Sequence, residues 1–135
     1  MENTTKSPIW PILSYNDAPA GIRFLVDALG FEETATYLDD NDESVVVHGE
    51  LRWPGGGGVM LGSAGAGEPP FTDRPIGVAS VYISVLDPDD LYRRATAAGA
   101  EVARELREEE YGSRGFTVRD PEGNLWSFGT YSGEW

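Results

Sequence analysis

The sequence predicts an α+β protein built from two successive βαβββ modules. Three observations predict this fold class. An aspartate that can cap a helix and a glycine that can end it occur twice, as Asp17 with Gly30 and as Asp87 with Gly99, at offsets of 70 and 69 residues. One strand-like run precedes each helix and three follow it. A segment rich in glycine and proline separates the two halves.

The first module, residues 8–64, begins with a strand and a helix. Residues 9–15 are mostly apolar or aromatic and lead to Asp17, which is typical of a strand followed by a helix cap. Gly30 ends the helix, because glycine readily adopts the left-handed conformation found at helix C-termini. The apolar residues of the helix have the spacing of a single face: Ile22, Leu25, Val26 and Leu29.

Three further strands complete the first module and are predicted at residues 34–38, 44–53 and 59–63. An acidic run from Asp39 to Glu43 and four glycines from Gly55 to Gly58 form the turns between them. Residues 65–76 have no periodicity and several prolines, so they are predicted to link the modules within one domain, residues 1–135.

The second module, residues 77–131, repeats the pattern. Polar and apolar residues alternate along its first strand, and the apolar residues are expected under the helix: Val81, Ile83 and Val85. The polar set is expected to face a cleft around which the sheets curve: Ser80, Tyr82 and Ser84. Asp87 caps the helix, Gly99 ends it, and three strands are predicted at residues 102–106, 115–120 and 125–130.

Composition limits the function classes. The 135 residues carry a formal net charge of −13, which argues against nucleic acid and membrane surfaces as partners and favours cationic ligands. The absence of cysteine excludes disulfides, thiolate metal sites and cysteine nucleophiles. The polar first residues and the lack of a long apolar run predict a soluble, cytoplasmic protein.

The most distinctive sequence is YGSRGFTVRDPEGN at residues 111–124. Together with the tandem βαβββ order, it resembles the vicinal oxygen chelate superfamily of glyoxalase I, extradiol dioxygenases and bleomycin resistance proteins. Residues 111–116 are most similar to the bleomycin-resistance branch. The resemblance implies the glyoxalase/bleomycin-resistance fold and a homodimer, with modules exchanged between chains as one possible arrangement. It also implies sequestration of a bulky natural product without chemistry.

The resemblance further implies where a divalent metal would bind. Enzymes of the superfamily use His or Gln on the first strand of each module and Glu on the last. These positions fall here on Trp10, Ser80, Ser127 and either Leu61 or Gly62. Indole and alkyl groups are not metal ligands, and a neutral serine hydroxyl is a poor one. We therefore expect no metal, no cofactor and no ordinary metal-dependent enzyme.

Several polar and aromatic residues remain as candidates. His48 and Glu50 share a strand face opposite Val47 and Leu51, either as a ligand-binding or acid–base pair or as a solvated stripe. Stacking walls for a flat ligand, or alternatively core and dimer packing, are predicted for Trp10, Trp53, Phe71, Tyr82, Tyr111 and Trp135. Arg119 is a candidate anchor for an anionic group or a partner of neighbouring acids.

These expectations combine into a metal-independent, homodimeric binding protein for an aromatic or cationic small molecule. The predicted ligand-binding residues are Trp10, His48, Glu50, Trp53, Ser80, Tyr82, Tyr111, Arg119 and Ser127. The alternative is a metal-dependent lyase, isomerase or dioxygenase of the glyoxalase superfamily with a non-standard site, in which His48 and Glu50 do the chemistry.

Overall fold

Two four-stranded mixed sheets form the framework of the protein. The computed structural model describes residues 7–134. Sheet A has the strand order β1-β4-β3-β2 and consists of β1 (Ile12–Tyr15), β2 (Glu32–Leu38), β3 (Val46–Arg52) and β4 (Gly58–Ser63). Sheet B has the order β5-β8-β7-β6 and consists of β5 (Ser80–Ser84), β6 (Glu101–Glu108), β7 (Arg114–Arg119) and β8 (Leu125–Gly129). The predicted βαβββ fold is confirmed in both halves.

One helix follows the first strand of each sheet. In sheet A, α1 (Ala18–Phe24) continues as a π-helical turn (Leu25–Leu29), and in sheet B the helix is α2 (Pro88–Ala97). The caps are as predicted, since Asp17 and Asp87 each accept a backbone hydrogen bond from the first turn at 3.1 Å. Among the described residues, neither helix has the length and hydropathy needed to cross a membrane.

The helix-covered faces of the two sheets share one hydrophobic core. Phe31, just after the first helix, contacts Trp126 of sheet B edge-on, with ring centroids 5.6 Å apart. Arg94 of α2 donates hydrogen bonds to the carbonyls of Val26 and Asp27 in the π-helical turn. Trp126 and Phe128 are fully buried. Because the core lies between the sheets, the opposite face of each sheet is left open, and we call these the open faces.

β3 departs from simple alternation at Val47. Tyr37 pairs with His48 and the next residue of β2 pairs with Val46, so Val47 is an extra residue in the strand. Val46 is therefore buried, and Val47 is 45% exposed. Val47 was expected on the strand face opposite His48, and this expectation is wrong. Leu51 was expected on the same opposite face, and this expectation is correct, because Leu51 lies in the core.

The segment between the sheets holds a short 3-10 turn (Phe71–Asp73) that the sequence did not predict. Phe71 is 60% exposed on this turn. The linker is otherwise irregular, as its prolines and glycines indicate.

Candidate functional site

The open face of sheet B carries a pocket of about 240 Å³. Alternation along β5 places Tyr82 on this face, while Val81 and Ile83 pack against the core, as predicted. On the neighbouring strands, Thr117 and Ser127 line the pocket, and their hydroxyl oxygens are 2.7 Å apart. The floor therefore combines hydroxyl groups with aromatic surface.

Tyr82 is held in place by its own hydroxyl. The hydroxyl donates a hydrogen bond of 2.7 Å to the backbone carbonyl of Tyr131, and partial burial raises the pKa of the Tyr82 phenol. The side chain lies over Gly129, where an added Cβ atom would be 2.8 Å from the Tyr82 hydroxyl. Glycine at this position thus provides the room that the tyrosine ring occupies.

Tyr111 stands on the β6–β7 hairpin at the mouth of the pocket. Its ring meets Tyr131 edge-on at 6.0 Å, yet 71% of the residue remains exposed. Nearby, the buried hydroxyl oxygen of Ser113 accepts the backbone N–H of Tyr131 at 3.1 Å, which fixes the C-terminal chain beside the pocket. Two exposed aromatic groups, Tyr82 and Tyr111, are therefore available to a flat ligand.

Charged residues at the rim are paired with one another. One terminal nitrogen of Arg104 donates to both carboxylate oxygens of Glu109, at 3.0 and 3.1 Å, and Arg107 approaches the same carboxylate at 3.3 Å. Sequence reasoning missed Arg104, Glu109 and Thr117 as pocket residues. The alternation of β7 would have identified Thr117. In contrast, β6 pairs irregularly with β7, so alternation does not indicate which face Arg104 occupies.

The open face of sheet A carries a separate pocket of about 120 Å³. His48 lines it, with its Nε2 atom 2.8 Å from a carboxylate oxygen of Glu50. The two side chains share a face, as predicted, and are 41% and 33% exposed. Tyr37 stacks on the His48 ring at a centroid distance of 6.3 Å. The pair can bind a polar ligand group or relay a proton.

Trp10 lies beside sheet A, against the first residue of β4. Its indole N–H donates to the carbonyl of Ser7 at 2.9 Å. The ring packs on Gly58, the first residue of β4, where an added Cβ atom would be 2.8 Å away. Gly58 shares the open-face side with Met60, so the ring covers one end of that face.

The remaining predicted residues lie in three other places. Trp53 packs between Phe31 and Phe128 and lines a seam pocket of about 350 Å³ between the modules, not an open face. Arg119 lies on the open-face side of β7 but is paired with Glu101 at 3.1 Å. Ser80 is exposed at the start of β5. Trp135 lies outside the described residues.

The comparison with protein families matches residues 9–128 to the Glyoxalase/Bleomycin resistance protein/Dioxygenase superfamily. The chain belongs to this superfamily. An uncharacterized protein of Mycobacterium bovis, Mb0911c, is 31% identical over 124 residues, which cover 88% of this chain and 80% of that protein. An uncharacterized protein of Mycobacterium tuberculosis, Rv0887c, is also 31% identical, over 88% of this chain and 71% of that protein.

Solved structures of the superfamily have the same fold. TioX from Micromonospora sp. ML1 matches with a TM-score of 0.77 and 31% identity, over 93% of this chain and 99% of that chain. The fosfomycin resistance protein FosX from Listeria monocytogenes matches with a TM-score of 0.65 over 96% of each chain. At 15% identity, the FosX match shows the fold alone.

The strand register corrects one of the superfamily metal positions. In sheet B, Ser127 pairs with Tyr82 of β5. The equivalent of Tyr82 in the first module is Ile12, seventy residues earlier, and Ile12 pairs with Met60. Met60 is therefore the counterpart of Ser127, and the expectation of Leu61 or Gly62 is wrong. Leu61 points into the core.

The residues at these positions do not fit the superfamily's metal. Trp10, Met60, Ser80 and Ser127 offer no imidazole and no carboxylate. Across residues 7–134, no group of three or more histidine, aspartate or glutamate side chains is placed to hold an ion. The site therefore gives no basis for a step routed through a metal.

Proposed function

We propose that this protein is a small-molecule binding protein that holds an aromatic or cationic ligand without a metal. The observation that carries the proposal is the open face of sheet B, where Ser127 occupies the position that the resemblance assigns to the superfamily's glutamate. Beside it, Tyr82 and Tyr111 offer ring faces, and Thr117 offers a hydroxyl group. Stacking and hydrogen bonding suit such a surface better than electrophilic catalysis does.

The proposed biological role is sequestration of a natural product in the cytoplasm, as in bleomycin resistance. The likeness to TioX over nearly the full length of both chains supports a place near that branch. A binder of this kind needs a complementary surface and a slow release rate, and it needs no acid–base group.

The proposal includes a homodimer, because the Tyr82 pocket and the His48 pocket lie on separate open faces of a single chain. The pocket of sheet B is lined by residues 82–129 and that of sheet A by residues 12–71. β1 and β5 are edge strands without a partner on their outer side in the described chain. Ile12 on the first edge is 62% exposed and Tyr82 on the second is 49% exposed. A second copy would cover both edges and bring two half-sites together.

Native mass spectrometry tests the metal-free dimer that this proposal requires. The protein is purified without chelator and measured again after addition of Ni(II), Zn(II), Mn(II) or Fe(II). We expect a dimer whose mass does not increase by a stoichiometric metal. A triple variant, Trp10→His with Ser80→His and Ser127→Glu, serves as the matched control and is expected to gain metal binding. One metal per chain in the unmodified protein would contradict the proposal.

A second candidate function rests on the 2.8 Å contact between His48 and Glu50. A carboxylate-oriented imidazole is the usual form of a general base, so a glyoxalase-type lyase, isomerase or dioxygenase with a non-standard site is the alternative. His48→Ala separates the two functions. An enzyme that uses His48 loses turnover by at least about a hundredfold, whereas a binder loses little affinity.

A further inference from the structure

The open face of sheet B brings several arginines together in an acidic protein. Residues paired across antiparallel strands share a face, and β6 pairs Arg104 with Thr117, Arg107 with Gly115 and Glu101 with Arg119. Together with Glu109, which pairs with Arg104, these residues give the face three arginines and two acids. The whole chain has 10 basic and 23 acidic residues. Three further acids, Glu105, Glu108 and Glu110, are exposed on β6 and its hairpin.

The two charged residues that line the pocket differ in what they can still bind. The Glu109 carboxylate is 18% exposed and is held by Arg104 and Arg107 together. In the described part of the chain, the hydrogen bonds of Arg104 involve one terminal nitrogen, and its side chain is 49% exposed. A guanidinium group has five N–H donors. A ligand cation would have to displace an arginine from Glu109, whereas a ligand anion can take the remaining donors of Arg104.

We infer that the sheet B pocket selects an aromatic ligand that carries a carboxylate, with the ring against Tyr82 and Tyr111 and the carboxylate on Arg104. This inference rests on the proposed function and names the ligand class of the same site. A planar guanidinium binds a carboxylate through two parallel hydrogen bonds, which also orients the attached ring.

The overall charge of −13 does not oppose this assignment at contact distance. Exposed charges are screened beyond about 8 Å at physiological salt, so the distant acids mainly slow the approach of an anion. The bound state depends on the groups that touch the ligand, and these include arginine, tyrosine and hydroxyl side chains and the Glu109 carboxylate, which two arginines already hold.

Calorimetric titration with three matched probes tests the ligand class: 2-naphthoate, naphthalene-2-carboxamide and 2-naphthylmethylammonium. We expect 2-naphthoate to bind tightest. Arg104→Gln is expected to weaken its binding about tenfold, the loss of one charge-assisted interaction, and to change amide binding less than twofold. Glu109→Gln releases Arg104 and is expected to strengthen naphthoate binding. Arg119→Gln, on the same face but outside the pocket, is the control and is expected to have no effect.

The outcomes separate the ligand class from the proposed function. Tightest binding of the ammonium probe, or equal losses in Arg104→Gln and Arg119→Gln, would overturn the carboxylate assignment and leave a binding protein. Weaker naphthoate binding in Glu109→Gln would also overturn it, since a merely structural ion pair predicts that result. Absence of binding by all three probes at millimolar concentration would overturn both the ligand class and the proposed function.

Discussion

The hydroxyl of Tyr15 donates a hydrogen bond of 2.6 Å to the carboxylate of Asp120 and thereby joins the two modules inside the core. Both residues are buried. The same carboxylate accepts the side-chain N–H groups of Asn124 and Trp126 and the backbone N–H groups of Glu122 and Asn124. Burial and the neighbouring carboxylate raise the pKa of Tyr15, so the phenol stays protonated as a donor. The RDPEGN turn is therefore organised around a buried acid that also holds β1.

Replacement of Tyr15 by phenylalanine is expected to lower the free energy of unfolding by about 2 kcal/mol. The change removes one donor to a buried carboxylate and keeps the ring in place. Urea unfolding measures the loss. Tyr37→Phe is the matched control, because Tyr37 is 62% exposed, and its change is expected to stay within about 0.5 kcal/mol. Equal effects of the two variants would show that the Tyr15 hydroxyl does not stabilise the module contact.

Glu122 of the same turn binds the backbone that leads into a helix of the other module. Its carboxylate accepts the backbone N–H groups of Asn16 and Asp17, at 2.6 and 2.7 Å, just before α1. Glu122→Ala leaves both donors without this partner and is expected to cost about 1 kcal/mol of unfolding free energy. Glu101→Ala, which removes a solvated surface pair with Arg119, is the control and is expected to change little. An unchanged urea midpoint in Glu122→Ala would contradict the role of this contact.

The element order was predictable because its signals are local. Asp17 and Asp87 cap helices through contacts three residues along the chain, and such short-range contacts can be read from sequence. Alternation also identified the face of Tyr82 on a regular strand.

The errors occur where a residue's position depends on a distant partner. The bulge at Val47 is set by pairing with β2. The counterpart of Ser127 in the first module is Met60, because pairing with β1 determines the register of β4. The glycine turn before β4 does not determine that register. Trp53 lies at the module seam because Phe128 of the other sheet packs against it. Arg104 was missed because the register of β6 shifts on both sides of it.

The pair of Arg114 and Asp89 predicts a pH-dependent contribution to stability. The Arg114 guanidinium donates two hydrogen bonds to Asp89, at 2.7 and 3.0 Å, and this lowers the pKa of the Asp89 carboxyl. A carboxyl with a lower pKa in the folded state stabilises the fold above its unfolded pKa of about 3.9, and the contribution is lost as the pH falls through the folded pKa.

Asp89→Asn is therefore expected to be less stable than the parent protein at pH 7, with a smaller difference at about pH 3. Urea unfolding at the two pH values measures both differences. Asp90→Asn, in the same helical turn, is the control, because its pair with Arg93 is largely exposed and contributes little. A difference between Asp89→Asn and the parent that grows toward acid pH would contradict the assignment.

The proposed dimer predicts that a charge on the β1 edge separates the copies. Ile12 is 62% exposed on the outer edge strand of sheet A, so Ile12→Glu is expected to leave the fold intact and to place a desolvated carboxylate in the interface. Light scattering at micromolar concentration should then report a monomer. Leu86→Glu adds the same charge at a fully exposed apolar residue before α2 and is expected to remain a dimer. If Ile12→Glu remains a dimer while circular dichroism reports a native fold, the β1 edge lies outside the interface and the two half-sites are not joined across it.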